Sequence, residues 1–244
     1  MHPRRAPLLI LLLACATWAS AQGGPDRDGR LIDTDLAPDL RTLAPSDLYV
    51  VDDRDAGGTV RLKFTTVIWN AGDGPVEVRG DPDGEAIRVR QVVHAIDGGV
   101  REVGPVGSFD FEHRHGHLHL SSFARYELWS LGPDGPAELV AENAKVGFCL
   151  MDNLQVDPDA VATEPVYEGC EASVQGISPG WGDRYVAQLY EQDLEIEGLA
   201  DGRYRLVHIA NPDGALAESD LGNNAAHVDL VLRDGTTVDI LTRP

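Results

Sequence analysis

Short runs of β-branched and aromatic residues follow one another along this chain, and turn sequences rich in Gly, Pro, Asn and Asp separate them. Runs of this kind predict β-strands, whereas the periodicity of helices is nearly absent. The predicted strands cover residues 62–69, 75–79, 87–95, 123–131, 204–210, 227–232 and 236–241. We therefore predict a mostly β fold, an antiparallel sandwich or barrel-like core with long loops, of which the longest runs from Asp152 to Trp181.

Four of the eight histidines fall within residues 113–119. His115, His117 and His119 recur at the period of a strand, so we expect their side chains to leave one face together. Imidazole is a common ligand of copper and zinc, and three imidazoles supply most of a coordination shell. On a flat strand the outer two would lie about 13 Å apart, so the backbone must bend, and Gly116 permits a bend. The alternative interpretation is a solvated or pH-sensitive histidine face.

Residues 1–21 have the pattern of a secretory signal, with an arginine pair, a short apolar run and an Ala-Ser-Ala cleavage site. This segment is too short to span a bilayer as a stable helix. We therefore predict an exported protein, secreted or periplasmic, without a transmembrane anchor. The alternative is a lipid anchor at Cys15, because the Leu-Leu-Ala-Cys sequence that ends there resembles a lipoprotein acylation box.

The formal charge of the chain is −20, and removal of the signal with its two arginines would lower it to −22. Such a surface argues against nucleic acid as a partner, because affinity for nucleic acid comes from neutralising phosphates. It would attract a cationic small molecule or a basic protein. The simpler interpretation is that the charge keeps an exported protein in solution.

Only Cys149 and Cys170 remain after removal of the signal. In an oxidising compartment one disulfide between them is the first expectation, and a reactive thiol is the alternative. The roughly 220 remaining residues suffice for one large β-rich core.

Four separated motifs, in one order along the chain, carry a resemblance to the catalytic domain of the lysyl oxidase family. They are FEHRHGHLHLSSFARYELW, NAKVGFCLMD, GCEASVQGISPGWGDRY and AESDLGNN, preceded by APDL at residues 37–40. Together with the predicted signal at residues 1–21, the resemblance implies an N-terminal extension at residues 22–36 and a catalytic domain at residues 37–244. Members of this family are copper amine oxidases with a lysine tyrosylquinone cofactor.

The resemblance assigns copper to His115, His117 and His119, and it assigns the quinone to Lys145 and Tyr185. In that family copper and O₂ oxidise the tyrosine ring, and the lysine amine adds to it. The quinone then condenses with a primary amine, such as a lysine of a protein substrate, and acts as an electron sink. The products are an aldehyde, ammonia and H₂O₂.

A general base must remove the α-proton of the bound amine, and a partly desolvated carboxylate suits that role. Asp183, two residues before Tyr185, is the candidate. The alternative interpretation of Asp183 is a turn residue in a Gly-rich loop.

A second metal is implied near the end of the chain, where two carboxylates and two amides fall within seven residues. Oxygen ligands of this kind suit Ca²⁺. In the family the motif joins an Asp-Leu pair to form a structural calcium site, which assigns Asp39, Leu40, Glu218, Asp220, Asn223 and Asn224. The alternative interpretation of residues 218–224, from the residues alone, is an Asn-rich turn.

This sequence departs from the animal members of the family. Glu112 stands where they carry another histidine, and Trp181 occupies the position of one of their extra cysteines. Cys149 and Cys170 match cysteines that have other partners there, so the resemblance implies that they pair with each other here. Two further hypotheses stay open: a non-catalytic, secreted metal-binding β-sandwich protein and a zinc hydrolase with an open three-histidine site.

Overall fold

The computed structural model describes residues 30–80, 87–170 and 173–242. The predicted signal with Cys15, and most of the predicted N-terminal extension, lie outside these residues. The strands, numbered in chain order, are β1 Asp35–Leu36, β2 Leu40–Thr42, β3 Ser46–Asp52, β4 Val60–Asn70, β5 Val76–Gly80, β6 Ile87–Ala95, β7 Val100–Glu112, β8 His117–Gly132, β9 Gly135–Phe148, β10 Leu154–Gln155, β11 Val174–Ile177, β12 Trp181–Tyr185, β13 Asp193–Glu195, β14 Gly202–Ala210, β15 Ala225–Arg233 and β16 Thr237–Thr242.

Two sheets contain all of these strands. The larger has the order β11-β5-β6-β7-β8-β14-β15-β16, with β1 beside β6 and β9 beside β8. The smaller has the order β10-β12-β4-β13, and β2 and β3 also pair with β4. Every pair of neighbouring strands is antiparallel, which confirms the predicted fold class.

Both sheets contribute side chains to one hydrophobic core. Its largest fully buried side chains are Tyr126 from β8, Phe64 from β4 and Phe148 from β9. Strand β4 is buried along nearly its whole length, since β2, β3, β12 and β13 pair with it and the larger sheet packs against it. Strand β12 pairs with β4 from Gly182 to Tyr185, so β4 fixes the position of Tyr185 relative to the core.

Most predicted strands agree with the observed ones, and β6 does so at both ends. Strand β9 was not predicted. Its first half is largely exposed and contains Gly, Pro, Ala and Glu, residues that are depleted in strands. The segment from Asp152 to Trp181 is also not a continuous loop, because the short strands β10 and β11 interrupt it.

Among the described residues two 3₁₀ turns, Arg54–Ala56 and Leu221–Asn223, accompany the strands. In the three described ranges no helix has the length and apolar character needed to cross a membrane. Strand β1, which falls within the predicted N-terminal extension, pairs with β6 through Asp35 and Ala95.

Candidate metal centre and adjoining pocket

The three candidate histidines lie where β7 turns back into β8. His117 and His119 begin β8, and alternation places them on one face. His115 lies in the turn rather than on the strand, so the expectation that all three share one strand is wrong. The predicted bend at Gly116 is confirmed: its φ is +79°, a left-handed conformation that favours glycine.

The turn brings three imidazole nitrogens together. His115 Nδ1 lies 3.2 Å from His119 Nε2. His117 Nε2 lies 3.0 Å from the same atom. A metal bound about 2 Å from each nitrogen would require separations of about 3 Å, so the cluster has the dimensions of a metal site.

Burial and the neighbouring imidazoles of His115 and His117 lower the pKa of His119 to about 4. Its ring is therefore neutral at neutral pH, and a neutral ring has a nitrogen lone pair to offer a metal. The three residues fit the copper ion that the family resemblance implies.

Tyr185 ends β12 and lies beside this cluster. Its side chain is only 8% exposed, and its ring centroid lies 6.2 Å from that of His119 and 4.0 Å from that of Phe148. The hydroxyl accepts a hydrogen bond of 2.7 Å from the backbone N–H of Cys149. Burial and the nearby carboxyl group of Asp183 raise the pKa of Tyr185. The surroundings therefore fix the orientation of the ring.

Asp183 lies two residues earlier on β12, on the same face as Tyr185, and is fully buried. Its Oδ1 accepts a hydrogen bond of 2.7 Å from Asn153 Nδ2. Its Oδ2 has no hydrogen-bond partner among the described residues. Burial raises the pKa of Asp183 well above its ordinary value. A perturbed carboxyl group with one unpaired oxygen is suited to proton transfer.

One pocket joins these groups. His115, His117, Asp183 and Tyr185 all line it, and its other lining residues are Met151, Asn153, Cys170, Arg184 and Leu189. A second hollow is lined by His119 and by the acidic residues Asp110, Glu112 and Glu191, among others. The histidine cluster thus contributes to two hollows, one that contains the tyrosine and one that is rich in acidic residues.

The backbone of Lys145 lies in β9, three residues before Phe148. The register between β8 and β9 shifts nearby: Ala124 pairs with Val146, whereas Tyr126 pairs with Asn143. One extra β9 residue is therefore accommodated in this stretch, and such bulges change the direction of a strand. The same strand continues into Cys149, whose N–H binds the Tyr185 hydroxyl.

Cys149 and Cys170 form a disulfide, as predicted. Their Cα atoms lie 5.4 Å apart. The bridge ties the end of β9 to the segment that precedes β11, and Cys170 lines the same pocket as His117 and Tyr185.

Two features were not predicted: the role of Asn153, and a buried polar network around Tyr126. The Tyr126 hydroxyl donates to Gln192 Oε1 at 2.9 Å, and Gln192 Nε2 donates to Thr66 Oγ1 at 2.9 Å. Single Asn and Gln residues carry no periodic signal, so only the tertiary structure could identify these contacts.

The candidate calcium residues occupy a separate region. Asn223 Nδ2 donates to Asp39 Oδ1 at 3.1 Å, and Asn224 Nδ2 donates to Glu218 Oε1 at 2.8 Å. The backbone N–H of Leu40 donates to Glu218 Oε2 at 2.8 Å. Burial, with a contribution from the charge of Asp39, raises the pKa of Glu218 to about 7.

The amide oxygens of this region show whether its residues would fit a cation. Oδ1 of Asn223 and Oδ1 of Asn224 are buried, and neither has a hydrogen-bond partner among the described residues. Buried oxygens without donors beside two carboxylates fit a hard cation. Asp220, by contrast, is exposed, and its Oδ1 accepts from the N–H of Gly222 at 2.8 Å, which caps the 3₁₀ turn.

A family model described as lysyl oxidase matches residues 87–241. Protein-lysine 6-oxidase of Rattus norvegicus is 30% identical over 130 residues, which are 52% of this chain and 29% of the relative. Protein-lysine 6-oxidase of Homo sapiens is 31% identical over 130 residues, 52% of this chain and 28% of the relative. Lysyl oxidase homolog 3 of Homo sapiens is 36% identical over 112 residues, 46% of this chain and 14% of the relative. The match therefore spans less than a third of the length of each of these relatives.

Proposed function

Because the chain belongs to the lysyl oxidase family, we propose that it is an exported copper amine oxidase that converts primary amines to aldehydes with release of ammonia and H₂O₂. The observation that carries this proposal is the pocket shared by His115, His117, Asp183 and Tyr185. A protein that merely stored a metal would need the histidines but not a tyrosine and a buried carboxyl group beside them.

In this proposal His115, His117 and His119 hold copper, and Lys145 and Tyr185 form the lysine tyrosylquinone. Copper and this cofactor would supply the redox chemistry, in which O₂ is the oxidant and the quinone takes up the electrons of the amine. The Cys149 N–H and the Phe148 ring hold the Tyr185 ring in place.

Asp183 is proposed as the base that takes the α-proton. Asn153 holds its Oδ1, so Oδ2 is the oxygen available to accept a proton. The carboxyl group must be ionised for this step, and a cationic amine in the pocket would favour the ionised form. Asn153 is a positioning residue, since it acts through Asp183.

The proposed substrate is a primary amine, either a small amine or a lysine side chain of a protein. Asp110, Glu112 and Glu191 beside His119, together with the formal charge of −20, would attract such cations to the site. We also propose that the protein acts outside the cytoplasm, in agreement with the predicted signal and the Cys149–Cys170 disulfide.

The cofactor assignment is tested by peptide mapping. Protein matured in air with copper should yield a covalently joined pair of peptides that contain Lys145 and Tyr185. A Tyr185→Phe variant, which keeps the ring and loses the hydroxyl, should yield only separate peptides. If active parent protein gave both residues as ordinary peptides, the assignment would be wrong.

The base is tested with Asp183→Asn, which preserves the size of the side chain and can still accept from Asn153. We expect kcat to fall by about 10²–10⁴-fold, since that is the usual contribution of a general base. Copper content should stay at the parent level, and the acidic limb of the pH–kcat profile should disappear. A kcat within twofold of the parent would exclude Asp183 as the base.

A further inference from the structure

A second set of metal-binding atoms lies next to the three histidines. In the described part of the chain, two sets of three His, Cys, Asp or Glu residues have ligand atoms that all lie within 4.8 Å of one another: the three histidines, and His117 with Cys149 and Cys170. The two sets share His117. In the oxidised protein the two sulfurs are bonded to each other, so the second set cannot act as a pair of thiolate ligands.

The surroundings of this second set are rich in sulfur. Met151 Sδ lies 3.8 Å from Cys170 Sγ, and both residues line the pocket that contains His117. Cys149 is 1% exposed, whereas Cys170 is partly exposed on the pocket side. Thiolate and thioether sulfurs are soft ligands that select Cu(I) over harder ions.

We propose that reduction of the Cys149–Cys170 disulfide creates a second metal site, in which both sulfurs and His117 bind Cu(I). A phosphine supplies two electrons and becomes the phosphine oxide with oxygen from water; the S–S bond takes up these electrons and two protons, breaks, and leaves two thiols. Binding of Cu(I) to both sulfurs then releases two protons. Because the site needs His117, Cu(I) there competes with metal at the three histidines.

The chain connectivity allows the two sulfurs to separate around an ion. Two sulfurs about 2.3 Å from one metal lie farther apart than the roughly 2.05 Å of a disulfide, so one of them must move after reduction. Cys149 is fixed at the buried end of β9, and its N–H is bound to Tyr185. Cys170 follows the exposed Gly169 and lies outside any strand, so we assign the movement to Cys170.

The proposal concerns Cu(I) binding alone and does not depend on amine oxidation. The test therefore uses no amine and no O₂. Full-length protein is reduced anaerobically with a water-soluble phosphine, which becomes the phosphine oxide, and the reagent is removed by gel filtration. A gain of two free thiols per chain over the oxidised protein confirms the reduction. Cu(I) affinity is then measured by competition with bathocuproine disulfonate, and X-ray absorption identifies the neighbours of the metal.

Reduced parent protein should bind one Cu(I) per chain at least about tenfold more tightly than oxidised protein. Its X-ray absorption should show sulfur neighbours at about 2.3 Å. The double variant Cys149→Ser with Cys170→Ser should show no such gain after phosphine treatment. Unchanged Cu(I) affinity in parent protein with a verified gain of two thiols would overturn the proposal, as would loss of cooperative thermal unfolding on reduction.

Two histidine variants give a matched comparison, because each removes one imidazole from the histidine cluster and only one belongs to the sulfur set. His115→Ala should keep the gain in Cu(I) affinity that reduction produces, whereas His117→Ala should lose most of it. Equal gains in the two variants would remove His117 from the site. The single variant Cys170→Ser leaves Cys149 as a free thiol and needs no reductant. It should bind Cu(I) with one sulfur neighbour. The absence of any sulfur neighbour in its X-ray absorption would contradict the assignment of Cys149.

Discussion

His117→Ala is expected to lower copper affinity by at least about 100-fold and to abolish H₂O₂ release with amine substrates. Its Nε2 lies 3.0 Å from His119 Nε2, so the variant removes one of three convergent nitrogens. Even residues that only orient metal ligands commonly contribute 10–100-fold to affinity, and a ligand itself should contribute more. Copper content after dialysis against a competing chelator, together with a peroxide assay, measures both effects.

His113→Ala is the matched control. His113 belongs to the same turn, is exposed, and has a ring contact with Phe111 at 5.2 Å. We expect parent-like copper content and activity from this variant. Copper loss equal to that of His117→Ala would mean that the turn itself, and not its ligands, had been disturbed.

Lys145→Ala separates an enzyme from a metal store. We expect it to keep parent-level copper, because the copper ligands are assigned to the three histidines, and to release no H₂O₂ with amines. Equal H₂O₂ production by Lys145→Ala and the parent would exclude the quinone mechanism and favour the non-catalytic alternative.

The parts of the fold that the sequence predicted are those in which one local rule decides the structure. Strand β6 is rich in β-branched residues and is followed by an Asp-Gly-Gly turn, so its bounds could be read directly. Strand β9 forms because β8 offers it a long edge for pairing, although its own residues have weak strand preferences. Pairing between distant segments is not encoded in the local pattern.

The candidate site divides in the same way. The spacing of His117 and His119 predicted their shared face, because both lie on one strand. The same spacing placed His115 on that strand as well, and the turn at Gly116 overrode it. Asp183 and Tyr185 have no distinctive local pattern: the family motif pointed to Tyr185, and the need for a carboxylate near it pointed to Asp183. The contact of Asn153 with Asp183 joins residues 30 positions apart and could not be predicted from either segment.

Calcium is the proposed second ion, and its removal is expected to lower the melting temperature by roughly 5–10 °C. An ion bound only by the folded state stabilises it by about 2.7 kcal/mol at a hundredfold excess over Kd. For a chain of this size 1 kcal/mol corresponds to roughly 2–4 °C. The ion would also offset the repulsion between Asp39 and Glu218, and it would give the buried amide oxygens of Asn223 and Asn224 a partner. A calcium-selective chelator and differential scanning calorimetry measure the effect.

Glu218→Gln should abolish this response, because it removes a charged oxygen but keeps an acceptor for the N–H of Leu40. Ser219→Ala is the control, since the neighbouring Ser219 is exposed and the structure gives only its backbone a contact, from its N–H to the carbonyl oxygen of Pro38 at 2.9 Å. His117→Ala should also respond as the parent does, because His117 is assigned to the copper site.

Asp220→Ala tests whether Asp220 is a ligand of the ion, since its Oδ1 now accepts a hydrogen bond from the N–H of Gly222. Loss of the calcium response would assign Asp220 as a ligand, and a retained response would limit the site to the buried residues. An unchanged melting curve after verified calcium removal from the parent would contradict the proposed site, because an ion bound by both Asp39 and Glu218 must stabilise the folded chain.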